Sequence, residues 1–214
     1  MSSGDTKNEI LGSVCSIILP KIQFTKSLNG ADKNTQLNGD SLILKSDGKT
    51  DFFNSPDGHY LSSTAPMLLS KVDNTQEFTI TSKATPSLKE KYDAAALYVY
   101  VDNNLWHKFA YERDDVNTNR IVTVRTNETS DDCNHQPIND HSVFLKISSD
   151  TKTVAFYFSI DGLKWTLVRL YKNNYPEIIW LGLSAQSPMG QGNLVKFENT
   201  SLVNESVKDF RLGV

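Results

Sequence analysis

Short runs in which apolar and polar residues alternate recur along most of this chain, and they constrain its fold more than any other feature. Asp, Gly, Asn or Pro bounds each run, and helical spacing of apolar residues is almost absent. About a dozen short strands separated by such turns are typical of an all-β sandwich or jelly roll of two antiparallel sheets. The predicted strands span residues 13–19, 41–45, 63–71, 77–83, 94–101, 106–112, 120–126, 142–148, 153–160, 164–170, 177–184, 194–200 and 207–212.

The polar segments between the runs suggest the domain organisation. Residues 1–11 are polar and mixed in charge, so we expect a mobile leader, and residues 12–214 are expected to form a single domain. An Asn-rich stretch at 27–38 is interpreted as loops. Asp161 and Gly162 favour a tight turn that joins two strands into a hairpin.

Charge and composition exclude some partners. The chain has 22 basic and 25 acidic residues and a net charge of -3, so it lacks the positive field that a nucleic-acid backbone requires. The apolar run at 14–19 is too short to span a bilayer, and no secretory signal precedes it, so we expect no membrane partner and a cytoplasmic location. Two cysteines, Cys15 and Cys133, agree with a reducing compartment.

Large polar side chains gather on one face of two neighbouring predicted strands. Side chains alternate along a strand, so Leu97 and Val99 point toward a core while Tyr98 and Tyr100 point away from it. In the next strand the residues that point away are Trp106, Lys108, Ala110 and Glu112. Aromatic rings among charged groups are unusual for a solvated face and indicate a binding surface.

Later strands extend this candidate surface if they belong to the same sheet. The candidate binding residues are then Tyr98, Tyr100, Trp106, Lys108, Glu112, Arg125, Lys146 and Tyr157. They would suit a carbohydrate, an anionic metabolite or a peptide. The alternative is that Lys108 and Glu112 only form cross-strand charge pairs, worth about 0.2 to 1 kcal/mol each.

Several motifs, in this order, carry a resemblance to a known family over roughly residues 40–200. They are Thr50-Asp-Phe-Phe53, Tyr92-Asp-Ala-Ala-Ala-Leu97, Leu105-Trp-His-Lys-Phe-Ala-Tyr-Glu112, Ser159-Ile-Asp-Gly-Leu-Lys-Trp165 and Leu181-Gly-Leu-Ser-Ala-Gln-Ser-Pro188. The chain resembles a family of uncharacterised concanavalin-A-like jelly-roll proteins that includes the fungal regulation of enolase protein.

The resemblance implies a jelly-roll sandwich whose concave sheet exposes Trp106, Lys108 and Glu112, with Ser187 and Pro188 in a loop near one rim. It also implies a regulator of enolase in carbohydrate metabolism. The chain departs from the family's pattern at 94–96 and 130–133, which argues against a small-molecule ligand shared with the family. The alternative function is a carbohydrate-binding module or a vestigial glycoside hydrolase.

Signals for catalysis or metal binding are weak. Glu112 and Asp114 have a spacing that a glycosidase could use, but Asp114 begins a sequence typical of a turn. The histidines are scattered, and Cys133 and His135 supply only two potential metal ligands. We therefore expect a binding or regulatory protein that is not an enzyme and has no metal or cofactor.

Overall fold

The computed structural model describes residues 12–214, and the predicted leader at 1–11 lies outside the described residues. Strands account for all of the regular structure in this part of the chain. Their bounds are β1 Ser13–Leu19, β2 Ile22–Leu28, β3 Thr35–Asn38, β4 Ser41–Asp47, β5 Phe52–Asn54, β6 Leu61–Ser63, β7 Met67–Asp73, β8 Phe78–Pro86, β9 Ala94–Asp102, β10 Leu105–Arg113, β11 Asn119–Asn127, β12 Thr129–Pro137, β13 Val143–Ser149, β14 Thr153–Ser159, β15 Thr166–Lys172, β16 Ile178–Gln186 and β17 Gly192–Val203.

Two large antiparallel sheets form the molecule. The eight-stranded sheet has the order β1-β2-β7-β16-β9-β10-β11-β12, and the seven-stranded sheet has the order β15-β14-β13-β8-β17-β4-β3. Strands β5 and β6 pair only with each other. The prediction of an all-β sandwich of two antiparallel sheets is confirmed.

The main core lies between the two sheets. Strand β9 contributes Ala95, Leu97 and Val99 to it, as the alternation predicted, and strand β10 contributes Phe109 and Tyr111. The seven-stranded sheet supplies apolar side chains from β4, β8, β13, β14 and β17. Both sheets therefore share one core, while the prediction that residues 12–214 form one domain stays a prediction.

A second apolar cluster lies on the outer face of the eight-stranded sheet, which is the face turned away from the seven-stranded sheet. It joins Tyr98, Tyr100 and Trp106 to Phe52 of β5. The β5–β6 hairpin, residues 52–63, therefore covers part of this face. Since both faces of the sheet are covered here, every residue from Ala94 to Tyr100 is buried.

The sequence missed several strands. Strands β2, β3, β5, β6 and β12 were not predicted, and β3 lies inside the stretch interpreted as loops. Strand β12 is polar and mostly exposed, so its residues do not alternate in a way that reveals a strand. The strand predicted at 207–212 is wrong, because that segment forms bends and turns. Strands β14 and β15 do pair across Asp161 and Gly162, as predicted.

Candidate functional site

Strand β10 positions the central residues of the candidate site. Its alternation sends Phe109 and Tyr111 into the main core and Trp106, Lys108 and Glu112 to the outer face. The predicted orientation of these three side chains is thus what the structure has. The predicted open surface is wrong, because all three are buried under the β5–β6 hairpin or beside it.

Aromatic packing seals one end of this face. Phe52 meets the rings of Tyr98, Tyr100 and Trp106 edge to face, at centroid distances of 5.9, 6.2 and 5.8 Å. The Trp106 side chain is 0% exposed, and its indole N–H donates to the Asn103 carbonyl at 3.2 Å. These three residues are therefore a structural layer, and their rings are not available for stacking on a ligand.

Lys108 is a buried cation whose partners are all in place. Its side chain is 3% exposed, and Nζ donates to the Phe52 carbonyl and to Oε1 of Gln186, both at 3.2 Å. The carboxylate of Asp51 lies 3.9 Å away. Because a buried ammonium is stable only when it is paired and hydrogen-bonded, this set fixes both the lysine and the start of the β5–β6 hairpin.

Glu112 lies four residues further along β10 and has no such set. The residue is 7% exposed, and its carboxyl group makes no hydrogen bond to another described residue. Its oxygens are not among the fully buried polar atoms that lack a partner, so they are open to the space beside them. Burial raises the pKa of Glu112 to about 8, with smaller contributions in the same direction from Asp132, Asp51 and Asp114, while Lys108 opposes the shift. The carboxyl group is therefore mostly protonated near neutral pH.

Beside Glu112 is a cavity of about 380 Å³, a volume in the range of about 300 to 1,000 Å³ found for small-molecule sites. The hairpin, the loop before β9, the end of β16 and strands β10 to β12 form its walls. Met189 at its mouth is 55% exposed, and Tyr60 is exposed as well. The lining residues are Asp51, Phe53, Tyr60, Tyr92, Lys108, Glu112, Val124, Asp132, Gln186, Pro188 and Met189.

The polar groups of the cavity are mostly acceptors. Asp51 accepts the Tyr60 hydroxyl at 3.3 Å, and the Gln186 side-chain amide donates to the Tyr92 carbonyl at 3.2 Å. Burial raises the pKa of Asp132. Among the described lining residues, three carboxyl groups face the single ammonium of Lys108, so the cavity is negative whether or not Glu112 is protonated.

Three predicted binding residues lie elsewhere. Arg125 points to the other face of β11, since Val122 and Val124 occupy the outer face, and its guanidinium lies 5.5 Å from the centre of the Tyr171 ring. Lys146 and Tyr157 belong to the seven-stranded sheet, where they pair with each other. The prediction of one surface shared by all eight residues is wrong.

Lys146 and Tyr157 have a different environment on the outer face of the seven-stranded sheet. Lys146 Nζ lies 3.6 Å from the centre of the Trp165 ring and donates to the Gly213 carbonyl at 2.8 Å. Tyr157 donates its hydroxyl to the Phe210 carbonyl at 2.9 Å. Burial lowers the pKa of Lys146 to about 8. Both side chains hold the C-terminal segment against the sheet.

Five further residues line the site and were not predicted from the sequence: Asp51, Tyr60, Tyr92, Asp132 and Gln186. Four of them lie in motifs quoted above or in the segment where the chain departs from the family's pattern, but no local pattern shows that these segments meet in space. Pro188 lines the cavity, which agrees with the rim loop that the resemblance implies. Asp114 accepts backbone N–H groups of Val116 and Thr118 in a turn, as predicted.

The described residues contain no cluster of three or more His, Cys, Asp or Glu side chains arranged to hold a metal ion. Within the same residues, no helix is long and apolar enough to cross a membrane. Cys15 and Cys133 are both free thiols.

The two stacked antiparallel sheets define a concanavalin-like jelly-roll protein, and comparison with solved structures agrees. A functionally unknown protein from Saccharomyces cerevisiae is 24% identical, with a TM-score of 0.76 over 85% of this chain and 96% of that one. The lectin I-B4 from Griffonia simplicifolia is 13% identical, with a TM-score of 0.50 over 79% of this chain and 90% of that one.

The chain belongs to the family described as a protein of unknown function, DUF1349, whose model matches residues 28–205. It is also similar to the GH43 protein BlXynB from Bacillus licheniformis, at 15% identity and a TM-score of 0.64, over 85% of this chain but only 36% of that one. At these identities the likenesses concern the fold. No curated protein matches the chain.

Proposed function

We propose that this protein is a non-enzymatic binding protein and that its ligand site is the cavity between strand β10 and the β5–β6 hairpin. The observation that carries the proposal is Glu112, a carboxyl group that is buried against the cavity without a hydrogen-bond partner in the described chain. Its oxygens are open to the cavity, so a ligand there can supply the hydrogen bond that the protein does not.

The surroundings of Glu112 support the same proposal. Fixed contacts of Lys108 and Gln186 hold the cavity walls, so the site is formed before a ligand arrives. Perturbed titratable groups in a concave site are also a general mark of functional sites. Tyr60 and Met189 at the mouth add apolar surface that a bound molecule would cover.

The negative charge of the cavity favours some of the ligand classes expected from the sequence over others. An anionic metabolite is disfavoured, because Asp51, Glu112 and Asp132 would face it, and Lys108, the one cation among the described lining residues, is already paired. A carbohydrate stays the alternative, since the exposed ring of Tyr60 could stack on a sugar where Trp106 cannot.

Saturation-transfer NMR against a panel of small sugars, sugar acids and organic amines tests the proposal. We expect at least one compound to receive saturation from the wild type and to lose it in Glu112→Gln, with the signal kept in the surface control Leu163→Ala. Leu163 is exposed and remote in sequence from the cavity walls. A panel that gives no signal, or one that Glu112→Gln leaves unchanged, contradicts the proposal.

The absence of catalysis is part of the proposal and has its own assay. Asp114 is committed to its turn and to Arg120, with Oδ2 2.6 Å from Arg120 Nε, so it is a poor partner for Glu112 in hydrolysis. We expect no release of chromophore from aryl xylosides or aryl glucosides. Turnover by the wild type that disappears in Glu112→Gln would replace the proposal with a glycoside hydrolase.

A regulatory role toward enolase, in carbohydrate metabolism, and a cytoplasmic location complete the proposal. The enolase partner is supported by the family resemblance alone, and the location is supported by the two free thiols. Biolayer interferometry with purified enolase tests the partner. Saturable binding supports direct contact, and a flat response removes that part of the proposal without affecting the cavity.

A further inference from the structure

The ligand class of the proposed site can be narrowed from the hydrogen-bonding capacity of the cavity, so this step rests on the proposed function. Most donors in the cavity wall are already engaged, and the exception is the Tyr92 hydroxyl, which lines the cavity and makes no hydrogen bond to another described residue. Lys108 Nζ has two oxygen acceptors and the Asp51 carboxylate, the Gln186 amide donates to a backbone carbonyl, and the Tyr60 hydroxyl donates to Asp51. A ligand that relies on accepting several hydrogen bonds would have to displace these contacts, since Tyr92 offers a single hydroxyl.

The acceptors, in contrast, are in excess. The Glu112 carboxyl is without a hydrogen-bond partner in the described residues, and the Asp132 carboxyl lies in the same cavity. An ammonium group donates only, so it matches a site whose spare acceptors outnumber its spare donors. It also adds a positive charge to a cavity in which three carboxyl groups face one ammonium group.

The remaining lining suits the organic part of such a ligand. Phe53, Tyr60 and Tyr92 present rings to the cavity, and Met189 presents a thioether. Aromatic faces attract cations within about 6 Å, and thioethers pack well on alkyl groups. An inorganic cation fits less well, since no three acidic or metal-binding side chains of the described residues are arranged around one point.

We infer that the cavity binds a small organic cation, with an amine nitrogen that donates to Glu112 and an alkyl chain that lies against the aromatic rings at the mouth. Glu112 gives up its proton when the cation arrives. Below pH 8, where the carboxyl is protonated in the free protein, up to one proton moves from it to solvent for each ligand bound, and the ammonium keeps its own protons.

This coupling makes binding depend on pH. The titratable and charged groups that face Glu112 from the surrounding elements are Lys108 on the same strand, Tyr98 on β9, Arg120 on β11, Asp132 on β12, Asp51 before β5, Tyr92 before β9 and Asp114 after β10. Burial and the neighbouring carboxylates hold the pKa of Glu112 at about 8 in the free protein. Below pH 8, the apparent affinity for a cation should therefore increase by up to about tenfold for each unit that the pH is raised. Above pH 8 the affinity should stay constant.

Three probes of similar size and shape test the inference on the full chain. Aminobutanol is cationic, butanediol is neutral and hydroxybutyrate is anionic. We expect NMR shift titrations to give aminobutanol the lowest Kd, at least about tenfold below the other two above pH 8. Glu112→Gln should weaken the binding of aminobutanol and remove its pH dependence. Asp132→Asn should also weaken the binding but leave the pH dependence in place.

The control is Glu177→Gln, which removes one exposed negative charge that does not line the cavity. It should leave the Kd of aminobutanol unchanged. Equal affinity for the three probes, tighter binding of butanediol, or no binding of aminobutanol overturns the inference. Binding of butanediol that weakens as the pH rises would show Glu112 acting as a donor, which keeps the proposed binding function and rejects the cation.

Discussion

At the scale of single residues, Lys108 and Glu112 are two ionisable side chains of one strand whose surroundings differ. Both point to the outer face of the eight-stranded sheet, and both are more than nine-tenths buried. Lys108 has two oxygen acceptors and the Asp51 carboxylate beside it, and this pairing offsets the cost of burying its ammonium group. Glu112 has no donor and holds its proton instead. The first residue therefore stabilises the site, and the second is free to react to a ligand.

Replacing Trp106 tests the structural role of the aromatic layer. Trp106→Ala removes a completely buried indole from beneath Phe52, so we expect the free energy of unfolding to fall by about 3 to 5 kcal/mol. Urea unfolding followed by circular dichroism measures this change. Leu61→Ala, at an exposed position of the same hairpin, should change stability by less than about 0.5 kcal/mol. A stable Trp106→Ala protein would mean that the indole is not part of a packed layer.

At the scale of elements, the β5–β6 hairpin determines whether a cavity exists. Its strands have three residues each, and a two-stranded hairpin of this length is not stable alone in water. Phe52 holds it from the apolar side. Asn54 holds it from the polar side, where its amide donates to the Asn103 and Glu128 carbonyls at 3.2 and 3.0 Å. The cavity thus depends on anchors that lie at one end of the hairpin.

Removing the polar anchor should loosen the hairpin without unfolding the sandwich. Asn54→Ala leaves two carbonyls without their donor, at a local cost of about 1 to 3 kcal/mol. We expect faster amide hydrogen exchange across residues 52–63 and little change in the main core strands. His59→Ala, at the exposed tip, is the matched control. If the wild type, Asn54→Ala and His59→Ala exchange the amide hydrogens of residues 52–63 at the same rate, Asn54 does not hold the hairpin.

At the scale of the whole molecule, the eight-stranded sheet is covered on both faces, by the seven-stranded sheet on one side and partly by the hairpin on the other. This arrangement brings an ionisable group into a low-dielectric environment within a sheet that would otherwise be solvated on one face. The burial of Glu112 is therefore a property of the assembled layers, and it links the stability of the protein to pH.

The sign of that link follows from the raised pKa of Glu112. Between its usual value of 4.5 and about 8, the folded state holds a proton that the unfolded state has lost. The contribution of Glu112 to the free energy of unfolding should then decrease as the pH rises through this window, by up to about 1.4 kcal/mol per unit. Urea unfolding of the wild type and Glu112→Gln at several pH values isolates the effect. If the difference in the free energy of unfolding between the two proteins does not change with pH, the predicted contribution of Glu112 is wrong.

Local sequence patterns predicted where most strands lie, but they did not predict which strands pair with each other. Leu97, Val99 and Phe109 alternate clearly, so the core face of β9 and β10 could be assigned from the sequence. Strand β11 has apolar residues on both faces at 121–124, so alternation could not place Arg125. Lys146 and Tyr157 were given the correct face of their strands but the wrong sheet, because β13 pairs with β8, about sixty residues earlier.

The candidate site could be predicted only in part for a related reason. Lys108 and Glu112 were found because they lie in a strongly alternating strand. Asp51, Gln186 and the covering ring of Phe52 come from segments far away in the sequence, and no local pattern shows that they meet. The sequence therefore pointed to the correct face of β10 but presented it as an open surface.

Titration of the Glu112 carboxyl group shows whether this group lies in a ligand cavity without a hydrogen bond from the protein. Carbon-13 NMR of the side-chain carboxyl, assigned by comparison with Glu112→Gln, follows that single group. We predict a midpoint near pH 8 in the free protein and a lower midpoint when aminobutanol is added. A midpoint near the usual 4.5 that aminobutanol leaves unchanged would contradict the account.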